Sequence, residues 1–258
     1  MAVKTLRNMN AGQIVFTLSN IEELIYGVSF DPSTGSGRIV INISLIDSKD
    51  VNNILPIFRD VMLSGLTVSP LAKMLLSGES VNDFVIPYGK CGIATVCSIT
   101  VDGILLKQGI PVKPRFGGLV EVKDGNPVRF TDLVRYDSTT IDPMEILMSQ
   151  SLTSVSDMLT IGSGKILANL REITMNARNR VEETLDGLVS VGFSGILEVG
   201  EPNTDVLGVS VERDHFGVVV VGGTNPMAVA QEQGFNVDTH AMSSLMAVDE
   251  MVPIDRLV

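Results

Sequence analysis

GSGRIVINISLI at residues 35–46 returns 127 residues later as GSGKILANLREI at residues 162–173. In that register Gly35, Ser36, Gly37, Asn42, Ile46, Asn52 and Gly65 meet Gly162, Ser163, Gly164, Asn169, Ile173, Asn179 and Gly192. No gap is needed, and matched Gly and Asn arise by accident less readily than matched apolar residues. The chain therefore reads as two copies of one unit. Residues 38–46 are β-rich and predict a strand. Val51, Ile54, Leu55, Phe58, Val61 and Met62 then mark one face of a helix over residues 50–64, and Gly65 stands where a left-handed C-cap ends it. In the second copy residues 164–173 are the strand. Ala177, Val181, Leu185, Leu188 and Val189 make the helical stripe, and Gly192 stops it.

Each copy continues into an expected hairpin. Residues 92–101 turn at Asp102-Gly103 into ILLKQG, an Asp-Gly signal between β-rich runs. Residues 207–213 turn near Asp214-His215 into 216–221, which ends at Gly222-Gly223. A helix follows with Asn225 as N-cap, Pro226 at its first position and Gly234 past its end. Strand, helix, hairpin, helix is most of a βαββαβ plait. The expected fold is α/β (α+β), with two tandem ferredoxin-like βαββαβ units over about 35–112 and 162–237. Residues 111–150, with strand-like runs at 119–123 and 128–136, form a structured, strand-rich connector. It ends at a helix start: Asp142 as N-cap, Pro143 next, Glu145 closing a capping box.

Composition excludes several functions. The 258 residues are 45% hydrophobic and 19% charged, enough for a sizeable core. A net charge of −11 repels a phosphate backbone, so this segment is not expected to grip nucleic acid alone. Cys91 and Cys97 have no second pair to make a zinc site or a disulfide framework. No stretch approaches the roughly 20 apolar residues of a membrane span, and no signal-peptide pattern opens the chain. The expected location is the cytoplasm.

Catalytic constellations are missing. His215 falls in a turn and His240 in a polar tail segment. GSGKI at 162–166 lacks the spacing and the Ser/Thr of a phosphate loop. Anion binding is better provided for. Arg115-Phe116-Gly117-Gly118 sets a guanidinium beside a glycine pair, with Lys113 two residues earlier. Gly222-Gly223-Thr224-Asn225 leaves a hydrophobic strand and opens a helix, where free N–H groups and the helix dipole favour a carboxylate. Thr139 and Thr140 offer hydroxyls, and Cys97 is a pocket-lining candidate. The plain alternatives are a turn at Gly117-Gly118, a capped helix at Asn225, turn chemistry at the threonines and a small core residue at Cys97.

Six collinear stretches carry a resemblance: residues 21–46, CGIATVCSITVDGILLKQGIPV (91–112), FGGLVEV (116–122), PVRFTDLVRYDSTTIDPMEIL (127–147), GSGKILANLREI (162–173) and VVVVGGTNPMAVAQEQG (218–234). Over about residues 20–235 the chain resembles the NrpR regulatory domain of archaeal nitrogen-assimilation repressors. The resemblance implies a ferredoxin-like α/β domain that senses 2-oxoglutarate, with no cofactor and no catalysis. It also implies a homodimer, with DNA read by a separate winged-helix domain. Cys97 gains weight because TVCS lies in a strongly matching stretch. Residues 1–20 are expected to be an N-terminal segment too short for that DNA reader, with the regulatory domain over 21–258. The alternatives are an enzyme acting on a small carboxylate through Cys97 or Arg115, and an oligomerisation module without a ligand.

Overall fold

The computed structural model describes residues 15–258. Most of the expected N-terminal segment lies outside the described residues; Thr17 onward belongs to the first helix. The first half runs α1 (Thr17–Gly27), β1 (Arg38–Asp47), α2 (Val51–Leu63), β2 (Leu71–Leu75), a short hairpin β3 (Ser80–Val81) and β4 (Phe84–Val85), β5 (Lys90–Val96), α3 (Ile99–Lys107), β6 (Val112–Lys123) and β7 (Asn126–Arg135). Helices α4 (Pro143–Ser149) and α5 (Val155–Ile161) follow. The second half is β8 (Gly164–Thr174), α6 (Arg178–Ser190), β9 (Ile196–Val199), β10 (His215–Val221), α7 (Asn225–Glu232), β11 (Val237–Ala247) and β12 (Val252–Pro253).

The strands make two antiparallel five-stranded sheets, ordered β11-β1-β5-β2-β12 and β7-β6-β8-β10-β9. The path β1-α2-β2-β5-α3-β6 is repeated by β8-α6-β9-β10-α7-β11. Each half gives its last strand to the other, because β6 pairs with β8 and β11 with β1. The expected connector is therefore no connector. Its two strands complete the second sheet, and the tail segment holding His240 completes the first. Strands β1 and β8 lie inside their sheets and bury eight consecutive residues each; in β1 the buried run is nearly all apolar, whereas in β8 it includes Asn169, Arg171 and Glu172.

Both expected hairpins are corrected. Asp102-Gly103 is not a turn but the middle of α3, whose residues from Ile99 to Leu105 are all buried. A fully buried helix has no polar face, so its apolar run mimics a strand. Gly103 is needed because a Cβ there would come 2.5 Å from Val28 after α1. In the second half β10 pairs with β9, not with residues 207–213. There Leu207 and Gly208 take left-handed φ of +47° and +79° between the bridged Val206 and Val209. The helix stops at Gly65 and Gly192 stand, with φ of +81° and +91°. Asp142 caps α4 by accepting from the N–H groups of Met144 and Glu145. Glu145 does not close a box; its Oε1 accepts from the N–H of Ala241 on β11, 2.9 Å away.

Candidate functional site: a crevice between the two halves

The sequence echo survives as an echo of hydrogen bonds. Where β5 turns into α3, the N–H of Cys97 donates to the carbonyl of Val40, and Thr100 Oγ1 accepts from the Val40 N–H. Where β10 turns into α7, the N–H of Gly222 donates to the carbonyl of Leu167, and Asn225 Oδ1 accepts from the Leu167 N–H. Val40 and Leu167 are themselves 127 residues apart. The two helix N-termini thus meet across an approximate two-fold axis. Gly223 permits this, since a Cβ on it would lie 2.4 Å from the carbonyl oxygen of Val96 and 2.8 Å from Asn42 Nδ2.

A crevice lies on that axis. Asn42 and its repeat partner Asn169 form its floor. Cys97 and Ser98 stand at one helix start, Gly222 to Thr224 at the other. Tyr136, Asp142, Ala241 and Met242 close the remaining sides. Its volume is about 10 Å³, on the order of one water.

The two asparagines differ. Asn169 Nδ2 donates to the Tyr136 hydroxyl (3.1 Å), and its Oδ1 accepts from Arg171 Nη2 (3.4 Å). Asn42 Oδ1 accepts from the N–H of Met242 (3.1 Å), but its Nδ2 has no partner among the described residues. The hydroxyl of Thr224 is also buried and without a partner. Two polar groups at one crevice, both buried and unsatisfied, are costly in a closed protein and useful to a polar ligand.

Electrostatics sharpen the picture. Behind Asn169 the Arg171 guanidinium forms an ion pair with Asp102, Nε to Oδ1 2.5 Å, both side chains at most 1% exposed. The contact is short but poorly aligned for a hydrogen bond, and Arg171 Nη1 has no hydrogen-bond partner among the described residues. Burial pushes the Asp102 carboxyl up, and Arg171 opposes the shift. Burial, then Glu145, pushes the Asp142 carboxyl up to about 7, against the two N–H groups it accepts from. Near neutrality it can therefore hold a proton and donate. Burial pushes the Cys97 thiol up to about 12, which makes it a poor nucleophile.

The expected site residues divide. Cys97, Gly222, Gly223 and Thr224 come together at the crevice. Gly117 lies beneath it, where a Cβ would meet Pro143 at 2.5 Å and the Tyr136 hydroxyl at 3.2 Å. Asn225 is not a free donor. Its amide is spent on Leu66, Leu167 and Gly222, and Thr224 takes the N-cap position expected of it. Gly118 serves strand packing, with a Cβ 2.5 Å from the Asp132 carbonyl. Thr139 folds its hydroxyl onto Ile141 in a turn, and exposed Thr140 does not line the crevice. Arg115 and Lys113 are the clearest corrections. Arg115 forms an ion pair with the fully buried Glu172 and reaches Glu212, to which Lys113 also binds at 2.5 Å. A buried carboxylate needs that cation, so Arg115 is held at Glu172; Lys113 pairs with the exposed Glu212, and neither side chain lines the crevice.

Sequence reasoning missed Asn42, Asn169, Tyr136 and Asp142 as site residues. The signal was present for the first two: they are the polar match inside the repeated apolar strand. Among the described residues no group of His, Cys, Asp or Glu is placed to hold a metal, and no helix is long and apolar enough to cross a membrane.

Comparison with known proteins now identifies the family. Residues 14–253 match the NrpR regulatory domains NRD1 and 2. The chain is 38% identical over 239 residues to the global nitrogen regulator NrpRI of Methanosarcina mazei, covering 93% of this chain and 73% of that protein. It is 27% identical to the global nitrogen regulator NrpR of Methanocaldococcus jannaschii and 29% to that of Methanococcus maripaludis, again over 93% of this chain but only 40% of those longer proteins. The crystal structure of a nitrogen repressor-like protein from Methanococcus jannaschii superposes with a TM-score of 0.80 at 27% identity, covering 94% of this chain and all of that one. These relatives are regulators, not enzymes. The chain belongs to the NrpR regulatory-domain family of nitrogen regulators.

Proposed function

We propose that the crevice between the halves binds 2-oxoglutarate, and that the bound form relays the nitrogen signal to DNA-binding domains carried elsewhere in the repressor. The observation that carries this reading is the pair of buried, unpartnered polar groups, Asn42 Nδ2 and Thr224 Oγ1, on residues that line a space flanked by two helix N-termini. Exposed N–H groups and helix dipoles favour carboxylates. A protonated Asp142 adds a donor. The crevice must widen to admit a ligand of this size. Such widening moves β11, an exchanged strand whose Ala241 and Met242 line the crevice, and so couples binding to the arrangement of the halves. In a homodimer that change alters the spacing of paired DNA readers.

The rival reading, an enzyme using Cys97, is opposed by a thiol held far above neutral pH. Titration calorimetry with 2-oxoglutarate tests the sensing reading. Saturable heat is expected, weakened at least tenfold by Asn42→Ala and left unchanged by a conservative Lys113→Arg. No heat and no thermal shift at millimolar ligand removes the effector.

A further inference from the structure

From the side of β11 the crevice has a second feature. An open pocket of about 450 Å³ lies outside it, lined by Asn20, Glu23, Arg38, Asn82, Ser243 and Ser244. Ala241 and Met242 line both spaces. These two residues are the wall between solvent and the inner crevice.

That wall is not held as a strand is held. The β1–β11 ladder breaks between Ile41 and Ile43, where β11 advances four residues, from His240 to Ser244, against two on β1. Met242 sits in the left-handed region at φ +50°, unusual for an unbranched residue. Side chains replace the missing ladder. Asn42 takes the Met242 N–H, Glu145 takes the Ala241 N–H, and Asn82 on the β3–β4 turn reaches Ser244 and the Leu245 carbonyl. The approximate two-fold supplies a comparison. At the equivalent place β6 stays in register with β8, Gly117 opposite Asn169 and Gly118 opposite Ala168. β6 has its own bulge one step further on, between Pro114 and Phe116, so the wider break at the crevice, four residues against two, belongs to β11.

We infer that residues 240–244 of β11 form a door, tethered by Asn42, Glu145 and Asn82, whose opening joins the outer pocket to the inner crevice. The inference rests on the crevice being the ligand site, and it supplies that site's way in. One of the door's tethers, Asn42, also carries the open donor of the crevice. A ligand held on Asn42 Nδ2 therefore closes the door behind it.

Cys97 lies inside the crevice at 6% exposure, so its alkylation by iodoacetamide reports opening. The full chain carrying Cys91→Ser leaves Cys97 as the one thiol. Glu145→Ala is expected to raise the labelling rate at least tenfold in the absence of ligand, with the midpoint of global unfolding little changed. Asn82→Ala, at an exposed site, is expected to do the same more weakly and cannot endanger the core. Labelling unchanged in both variants, or labelling that tracks global unfolding in denaturant, overturns the door. Added 2-oxoglutarate is expected to slow labelling of the parent. Faster labelling in the variants without that protection keeps the door and overturns the effector.

Discussion

Arg171 and Asp102 face each other with at most 1% exposure, one from β8 of the second half and one from α3 of the first. Each charge has left water for the sake of the other. Removal of one partner strands the second, whereas removal of both leaves an apolar contact. Asp102→Leu alone is expected to cost about 3–5 kcal/mol, and Asp102→Leu with Arg171→Met to recover most of that loss. Denaturant midpoints of the three proteins decide it. A double variant no more stable than the single one shows that the pair supplies something beyond mutual neutralisation. Arg115 and Glu172 repeat the logic closer to the surface. Its guanidinium looked like a ligand-binding group in sequence because nothing there reveals that Glu172, 57 residues on, is buried and waiting for it.

Among the elements, α4 has the most informative start. Asp142 caps it through two backbone N–H groups, yet burial holds its carboxyl near 7. The folded protein therefore keeps this proton to higher pH than the unfolded chain, whose Asp titrates near its ordinary value. Stability from this group is fully present below the unfolded pKa and is lost as pH rises through about 7. The slope is at most ~1.4 kcal/mol per pH unit. Asp142→Asn retains a capping oxygen and is expected to flatten the decline between about pH 4 and 7. Thermal melts across that range check it, and an unaltered slope assigns the proton elsewhere. Protonated Asp142 also has the right polarity for an anionic ligand, so 2-oxoglutarate affinity is expected to fall as pH rises through the same range.

At the scale of the molecule, exchange of the last strands governs cooperativity. Without β11, strand β1 becomes a sheet edge with its buried residues uncovered; without β6, β8 does the same. Helix α2 of one half also packs on α7 of the other. The halves are expected to unfold together, with circular dichroism and tyrosine fluorescence tracing one transition, and a fragment ending at residue 110 is expected not to fold. Two separable transitions contradict this. The same exchange makes any opening of the crevice a movement of shared strands, which is what a sensor placed between two halves requires.

The sequence by itself determined the two-fold plan: two strand-then-helix starts in register, their glycine stops, the capped start of α4 and the strand-like runs at 119–123 and 128–136. Those features rest on local periodicity and backbone conformation, which neighbouring residues fix. It also brought Gly222–Thr224 forward, because a strand-to-helix corner is a local motif, and Cys97 through the family resemblance of its stretch. Tertiary structure alone decided that α3 is a helix, since a segment buried on every side loses the polar face that marks its period. It alone decided that β6 and β11 cross between the halves, and that Asn42 rather than Arg115 faces the crevice. Burial and pairing are contacts between residues distant in the chain, and a side chain's partner, unlike its period, is not written beside it.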